Sequence, residues 1–203
     1  MTLTAIPINC TLKRKGGEAS STDKMIGVLA EQFAKCDVTI SDTLRMADFD
    51  ILPGVTSDEG EGEGDDWLKL REQILAHDIL IFGTPVWMGQ LSSIGKRVCE
   101  RMDAFLSETD DKGRMPSYGK VAVVGNEDGA HNISAQLYQA LADVGWTIPP
   151  SGTCYWVGEA MGDVDFKDLE HTPRKVTETA KMLASSTAHL AGLLKANPYP
   201  GIS

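Results

Sequence analysis

Apolar and polar positions along this chain follow two alternating periods. Thr4 to Cys10 is an extended apolar run, after which Met25, Ile26, Leu29, Ala30 and Phe33 recur at the spacing of one helix face. The spacing predicts a strand and then a helix, with Ser20, Ser21 and Thr22 as cap candidates where the period changes. Cys36 to Ser41 reads as a second strand. Trp67, Leu70 and Ile74 mark a second helix, and Ile79 to Gly83 is an unbroken apolar run of the kind expected for a strand covered on both faces. Leu91, Ile94, Val98, Met102 and Phe105 form a third helical stripe, followed by the apolar run Val121 to Gly125. Ile133, Leu137, Ala140, Leu141 and Val144 give a fourth helix, and Thr153 to Val157 a fifth strand. Val176, Ala180, Leu183, Thr187, Leu190 and Leu194 give a long last helix.

Five repeats of strand then helix imply a parallel sheet with helices on both faces, because right-handed crossovers allow little else. The fold class is therefore α/β, doubly wound and five-stranded, and the order 2-1-3-4-5 fits five strands better than the six-stranded dinucleotide order. One domain spanning 1–203 is expected from the length. Pro7 sits awkwardly inside a first strand that should be central, since proline removes a ladder donor. Either the strand bulges at Pro7 or its regular part begins there. The stretch LPGVTSDEGEGEGDD is too polar to pack and reads as a solvated loop.

Composition narrows the possible partners. With 19 Lys+Arg against 29 Asp+Glu, the net charge is −10, which repels nucleic-acid backbones and anionic lipid. The one basic run is Lys13, Arg14, Lys15. Neither nucleic acid nor membrane is expected as a partner. No apolar stretch approaches the roughly 20 residues that span a bilayer, and the N-terminal charges follow rather than precede the apolar run. A soluble, cytoplasmic protein is expected. Cys10, Cys36, Cys99 and Cys154 stand far apart, so reduced and mostly buried thiols are expected.

In the 2-1-3-4-5 order, ligands sit where the loops after strands 1, 3 and 4 converge. The first of these loops carries the hydroxyls of Thr11, Ser20, Ser21 and Thr22 and the cations Lys13 and Arg14 beside a helix start, which suits a phosphate. The alternative is that Ser20 to Thr22 only cap the helix. The second, FGTPVWMGQ, sets Trp87 and Met88 beside Pro85 and Gly89, and either a flat aromatic ligand or a subunit contact would use them. The third, GNEDGAH, gathers Asn126, Glu127, Asp128 and His131 around Gly129, and it either meets the polar edge of a heterocycle or merely turns the chain.

Other chemistries lack their residues. There is no G-x-G-x-x-G after a strand and no GxxxxGK[ST] loop. The four histidines show no metal-ligand spacing, and the acids from Asp58 to Asp66 do not match a calcium loop, so no metal is expected.

The combination of NCTLK before a serine-rich helix start, FGTPVWMGQLSSIGKRVCERMD, GKVAVVGNEDGAH and the later YWVGEAMG resembles flavodoxin-fold proteins of the NADPH-dependent FMN reductase family, over nearly the whole chain. The resemblance implies FMN as cofactor. It further implies that Thr11, Lys13, Ser20, Ser21 and Thr22 hold the phosphate and that Pro85, Val86, Trp87, Met88 and Gly89 cradle the ring. Asn126, Glu127, Asp128, Gly129 and His131 would then lie on the ring's other side. The first loop, TLKRKGGEASST, is longer than the compact flavodoxin version. The implied activity is electron transfer from NADPH or NADH through FMN to a free flavin, a quinone or another small acceptor, with no catalytic side chain required. A homodimer or tetramer is the implied assembly. The rival reading is a flavodoxin-type electron carrier that binds FMN without turning over a pyridine nucleotide. An iron-sulfur flavoprotein lacks its clustered cysteines here, and a phosphoacceptor domain lacks its aspartate after strand 3.

Overall fold

The computed structural model describes residues 2–56, 62–126, 129–159 and 162–202. Its elements in chain order are β1 (Leu3–Asn9), α1 (Ser21–Ala34), β2 (Val38–Ile40), β3 (Leu44–Arg45), α2 (Trp67–Leu75), β4 (Ile79–Gly83), β5 (Val86–Trp87), β6 (Gln90–Leu91), α3 (Ser93–Met102), β7 (Val121–Asn126), α4 (Ala130–Asp143), β8 (Thr153–Tyr155) and α5 (Arg174–Ala196). The sheet runs β2-β1-β4-β7-β8, with β3 also pairing with β1. All of these pairings are parallel. This is the flavodoxin-like order that the strand count implies.

Alternation along the strands divides the core into two halves. Ile6, Ile8, Leu80, Phe82, Ala122 and Val124 pack with Trp67, Leu70, Val98, Ile133 and Leu137, so α2, α3 and α4 cover one face. Ala5, Ile79, Ile81, Val121 and Val123 pack with Met25, Leu29, Phe33, Ala180 and Leu183, so α1 and α5 cover the other. Every residue of β4 is buried, as its unbroken apolar run predicts. No helix among the described residues is long and apolar enough to cross a membrane. The four cysteines are free thiols, with Cys10 and Cys154 buried.

Two expectations change. β1 includes Pro7 without a bulge and keeps register on both sides of it, with Pro7 opposite Ile81. The reason lies in which neighbour each backbone group faces. Thr4 O accepts from Asp78 N and Cys10 N donates to Gly83 O, so even-numbered positions of β1 point to β4. Ala5 O accepts from Ser41 N, so odd positions, Pro7 included, point the other way. On that side β2 pairs only up to Ala5 and β3 only from Ile8, so the missing N–H of Pro7 falls in the gap between them. The second change concerns the acidic stretch read as a solvated loop. Residues 57–61 lie outside the described ones, but Asp65 is sealed against Arg101 at 2.5 Å, with side-chain exposures of 4% and 0%. Arg101 also donates to Leu52 O and Thr56 O, each at 2.9 Å, and stands over the Trp67 ring. The described parts of the stretch are therefore anchored from within the protein through Arg101 of α3, beside Trp67 of α2.

Candidate functional site

The loops after β1, β4 and β7 meet at the C-terminal edge of the sheet, where two backbone hydrogen bonds join the strand ends and a third bond, from Ser92, joins α3 to the first loop. Cys10 N donates to Gly83 O at 2.8 Å and Thr84 N to Gly125 O at 3.0 Å. Ser92 Oγ donates to Cys10 O at 2.6 Å while accepting from Gly95 N at 3.0 Å, so one hydroxyl caps α3 and ties it to the first loop. Thr84 and Ser92 are wholly buried. Both fall within the stretch FGTPVWMGQLSSIGKRVCERMD, but residue type alone does not single them out, since a single buried hydroxyl carries no period.

At the first loop, Ser20 is the N-cap of α1, its Oγ accepting from Thr22 N at 3.1 Å. Ser20 O takes the N–H groups of Asp23 and Lys24, which leaves Ser21 N–H as the one in this first turn without an acceptor among the described residues. Ser21 Oγ accepts from Lys167 N at 3.2 Å. Thr11 and Thr22 are buried beneath the loop, and Lys13 reaches Ala19 O at 3.2 Å and Glu18 at 3.1 Å. The helix start therefore caps itself at Ser20 while still offering an open amide, hydroxyls and a cation to an anion.

Beneath this loop lies a polar network that the sequence does not announce. Asn9, wholly buried at the end of β1, accepts from Thr11 N at 2.9 Å and donates from Nδ2 to Asp23 Oδ1 at 2.6 Å. Arg45, carried by β3 to the position opposite Asn9, pairs with Asp23 through Nη2 and donates from Nη1 to Lys13 O at 3.1 Å. The signal that would have found Arg45 is the register of a two-residue strand, too short to leave a pattern.

After β4 the chain forms the hairpin β5–β6, closed by Met88 and Gly89 with φ of +51° and +73°. Positive φ at both turn positions matches the strand twist of a two-residue hairpin. The turn lifts Trp87, 54% exposed, and Met88, fully exposed, into solvent. Its base rests on the third loop. Gly129, the N-cap of α4 at φ +86°, lies so close that a Cβ there would stand 2.8 Å from Val86 Cγ1. Asn132 Nδ2 donates to Gly89 O at 2.7 Å and Gln136 Nε2 to Gln90 Oε1 at 2.8 Å. His131 Nε2 lies 3.0 Å from Tyr155 Oη, their rings edge to face. Tyr155, at the end of β8, is a site neighbour that sequence reasoning misses. The Asn126 side chain, Glu127 and Asp128 lie outside the described residues.

The expected residues thus fall into two groups. Thr11, Lys13, Ser20, Ser21 and Thr22 surround the start of α1. Pro85, Val86, Trp87, Met88 and Gly89 form the hairpin, with Gly129 and His131 against or beside it. Amide, hydroxyl and cation at one end, with an exposed indole and thioether at the other, would suit a phosphorylated flat heterocycle. The mouth of the site is the space between the ends of the three loops at the C-terminal edge of the sheet. A cavity of about 550 Å³ between α3 and α4, lined by Leu91, Cys99 and Leu137, lies behind the hairpin rather than in this mouth.

The family profile described as NADPH-dependent FMN reductase matches residues 6–160. The chain is 37% identical to the divalent metal cation transporter MntH of Mycobacterium bovis, over 96% of this chain and 29% of that protein. It thus spans less than a third of that relative's length. It is 28% identical to the 8-demethyl-8-aminoriboflavin-5'-phosphate synthase of Streptomyces davaonensis, over 98% of this chain and 81% of the relative. A crystal structure of RosB with the bound intermediate 8-demethyl-8-formylriboflavin-5'-phosphate superposes with a TM-score of 0.84 at 27% identity, covering 98% of this chain and 82% of that one.

Proposed function

The chain belongs to the NADPH-dependent FMN reductase family, and from that premise we propose that it binds FMN in the mouth between its three loops. There it would act as an oxidoreductase, passing electrons from NADPH or NADH to a free flavin, a quinone or another small acceptor. The observation that carries this reading is the placement of the anion-ready start of α1 and the exposed Trp87–Met88 hairpin on one edge of the sheet. FMN, when bound, supplies the hydride and electron chemistry, so the protein's task is to bind, orient and dry.

In this reading Ser21 N–H, the hydroxyls of Thr11, Ser21 and Thr22, and Lys13 hold the phosphate, while Ser20 keeps the helix end in shape. Trp87 and Met88 cover a ring face and exclude water. Gly129 lets the third loop close on the hairpin, and Asn126, Glu127, Asp128 and His131 meet the polar edge, with Tyr155 steadying His131. A second copy of the chain would cover Trp87 and Met88, giving a homodimer or tetramer. The test is the absorbance spectrum of purified protein titrated with FMN without oxygen. A perturbed flavin spectrum that bleaches on adding NADPH or NADH is expected. Binding without bleaching would leave an electron carrier, and no binding would overturn the reading.

The similarity to a synthase that acts on riboflavin 5'-phosphate chemistry, over 98% of this chain, favours a second reading in which the flavin phosphate is itself altered. Mass spectrometry of flavin recovered after turnover separates the two. An unchanged mass supports the reductase, and a changed one the flavin-modifying enzyme.

A further inference from the structure

We infer that Arg45 tunes this site for the flavin's phosphate by neutralising Asp23, the carboxylate in the first turn of the helix whose start would receive it. The inference rests on the FMN reading and deepens it by naming what makes the start of α1 receptive to a dianion. Asp23 lies in the first turn of α1, two residues after Ser21, whose N–H has no acceptor among the described residues. A carboxylate in a first helical turn consumes the positive end of the helix dipole that an incoming anion would otherwise use. Left alone, Asp23 would repel the ligand and occupy its field.

Arg45 prevents both. Its Nη2 pairs with Asp23 Oδ2, while Asn9 Nδ2 holds the other oxygen, Oδ1, at 2.6 Å. Both carboxylate oxygens are therefore turned to partners below the loop. The same guanidinium donates from Nη1 to Lys13 O at 3.1 Å, so the group that cancels the charge also fixes the backbone of the loop. Arg45 is the more enclosed partner of the two. Arg45 is 14% exposed and Asp23 38%. The planar fork serves two acceptors in different directions, which a lysine ammonium at the end of a flexible stem reproduces poorly. Arg45 is a positioning residue in this scheme, since it reaches Asp23 and Lys13 O rather than the ligand.

FMN and riboflavin differ by the phosphate alone, so their affinities separate the phosphate end from the ring end. Titrations of wild type, Arg45→Ala, Arg45→Lys, Asp23→Asn and the double variant Arg45→Ala with Asp23→Asn test the inference. Arg45→Ala is expected to weaken FMN about tenfold and leave riboflavin within about twofold. Arg45→Lys should fall between Arg45→Ala and wild type. The decisive variant is the double one. Removing the carboxylate's charge as well should restore most of the FMN affinity, because the amide of Asp23→Asn keeps an acceptor for Asn9 without the repulsion. Equal losses for FMN and riboflavin in Arg45→Ala, or no recovery in the double variant, would overturn the inference and leave Arg45 as a fold contact. A wild type that binds neither ligand would remove the FMN reading itself, an outcome distinct from both.

Discussion

Two arginine–aspartate pairs do opposite jobs in this protein. Arg101 and Asp65 are sealed, with side chains 0% and 4% exposed, and Arg101 also meets Leu52 O, Thr56 O and the face of Trp67. Arg45 and Asp23 sit beneath the first loop, 14% and 38% exposed, and they share their remaining contacts with Asn9 and the Lys13 backbone. Burial decides the difference. A sealed pair cannot be half removed without stranding a charge away from water, so it acts as a lock on the chain segment it crosses. A pair whose carboxylate still reaches water, as Asp23 does, strands less charge when it is broken and is free to shape the field a ligand meets. The same two residue types therefore serve the fold in one place and recognition in the other.

The comparison breaks most visibly at Arg101. Arg101→Ala should lower the free energy of unfolding by about 3–5 kcal/mol, because Asp65 is left charged and buried. Arg45→Ala should cost less, about 1–2 kcal/mol, because Asp23 keeps Asn9 and reaches water. Urea titrations of the two variants side by side check this, and equal losses would erase the distinction. Next in size is Gly129→Val, which forces a branched side chain into a left-handed backbone and against Val86. A stability loss of about 1–3 kcal/mol is expected, together with weaker FMN binding. If melting drops while FMN affinity stays unchanged, the turn before α4 has no part in holding the ring. At the rim, Ser21→Ala with Thr22→Ala should weaken FMN at least about tenfold, or about 1.4 kcal/mol, with little change in unfolding. Titration of the double variant measures it, and an undiminished affinity moves the phosphate elsewhere.

The smallest effect concerns acid. Burial pushes the Asp65 carboxyl up, but hydrogen bonds from Arg101, Trp67 N and Leu52 N, with the Arg101 charge, outweigh it and hold the pKa below the ordinary carboxylate value. A carboxyl lowered in the folded state binds fewer protons than its unfolded counterpart, so its contribution is complete above about pH 4 and is lost as pH falls through the folded value. Asp78, held down against its own burial by Lys195 and Thr4, adds in the same direction. Unfolding free energy followed downward from pH 6 should decline in wild type and decline less in Asp65→Asn. A variant curve parallel to wild type would show that the sealed pair does not titrate on unfolding.

Much of the fold is legible because burial on both faces writes an unbroken apolar run into a central strand, and burial on one face writes a period into a helix. Ile79 to Gly83 and Val121 to Gly125 show it, as does the helix through Met25, Leu29 and Phe33. β3 does not, since two residues carry no period, and Arg45 is hidden with it. Asp65 reads as solvated because its neighbours are polar, while the partner that buries it lies 36 positions away. Local composition cannot announce a partner on another helix. At the site, the hydroxyls and the Trp87–Met88 pair can be named from residue type. The network of Asn9, Asp23 and Arg45 depends on strand register, and Thr84 and Ser92 on a contact between two loops. Tyr155 enters through the pairing that sets it opposite Asn126.

The gap opposite Pro7 has a consequence for how these molecules behave in a crowd. An uninterrupted outer strand presents a row of unpaired amides and carbonyls on which another chain can grow a sheet. Here the outer side of β1 is occupied by β2, three residues long, and β3, two residues long, with Ser41 to Thr43 between them outside either strand. The opposite margin, β8, is also only three residues long. A neighbouring molecule would find no long, straight run at either side to copy. The proline that removes one hydrogen bond from the heart of the sheet thus faces a broken outer row, and short margins of this kind discourage sheet-by-sheet aggregation.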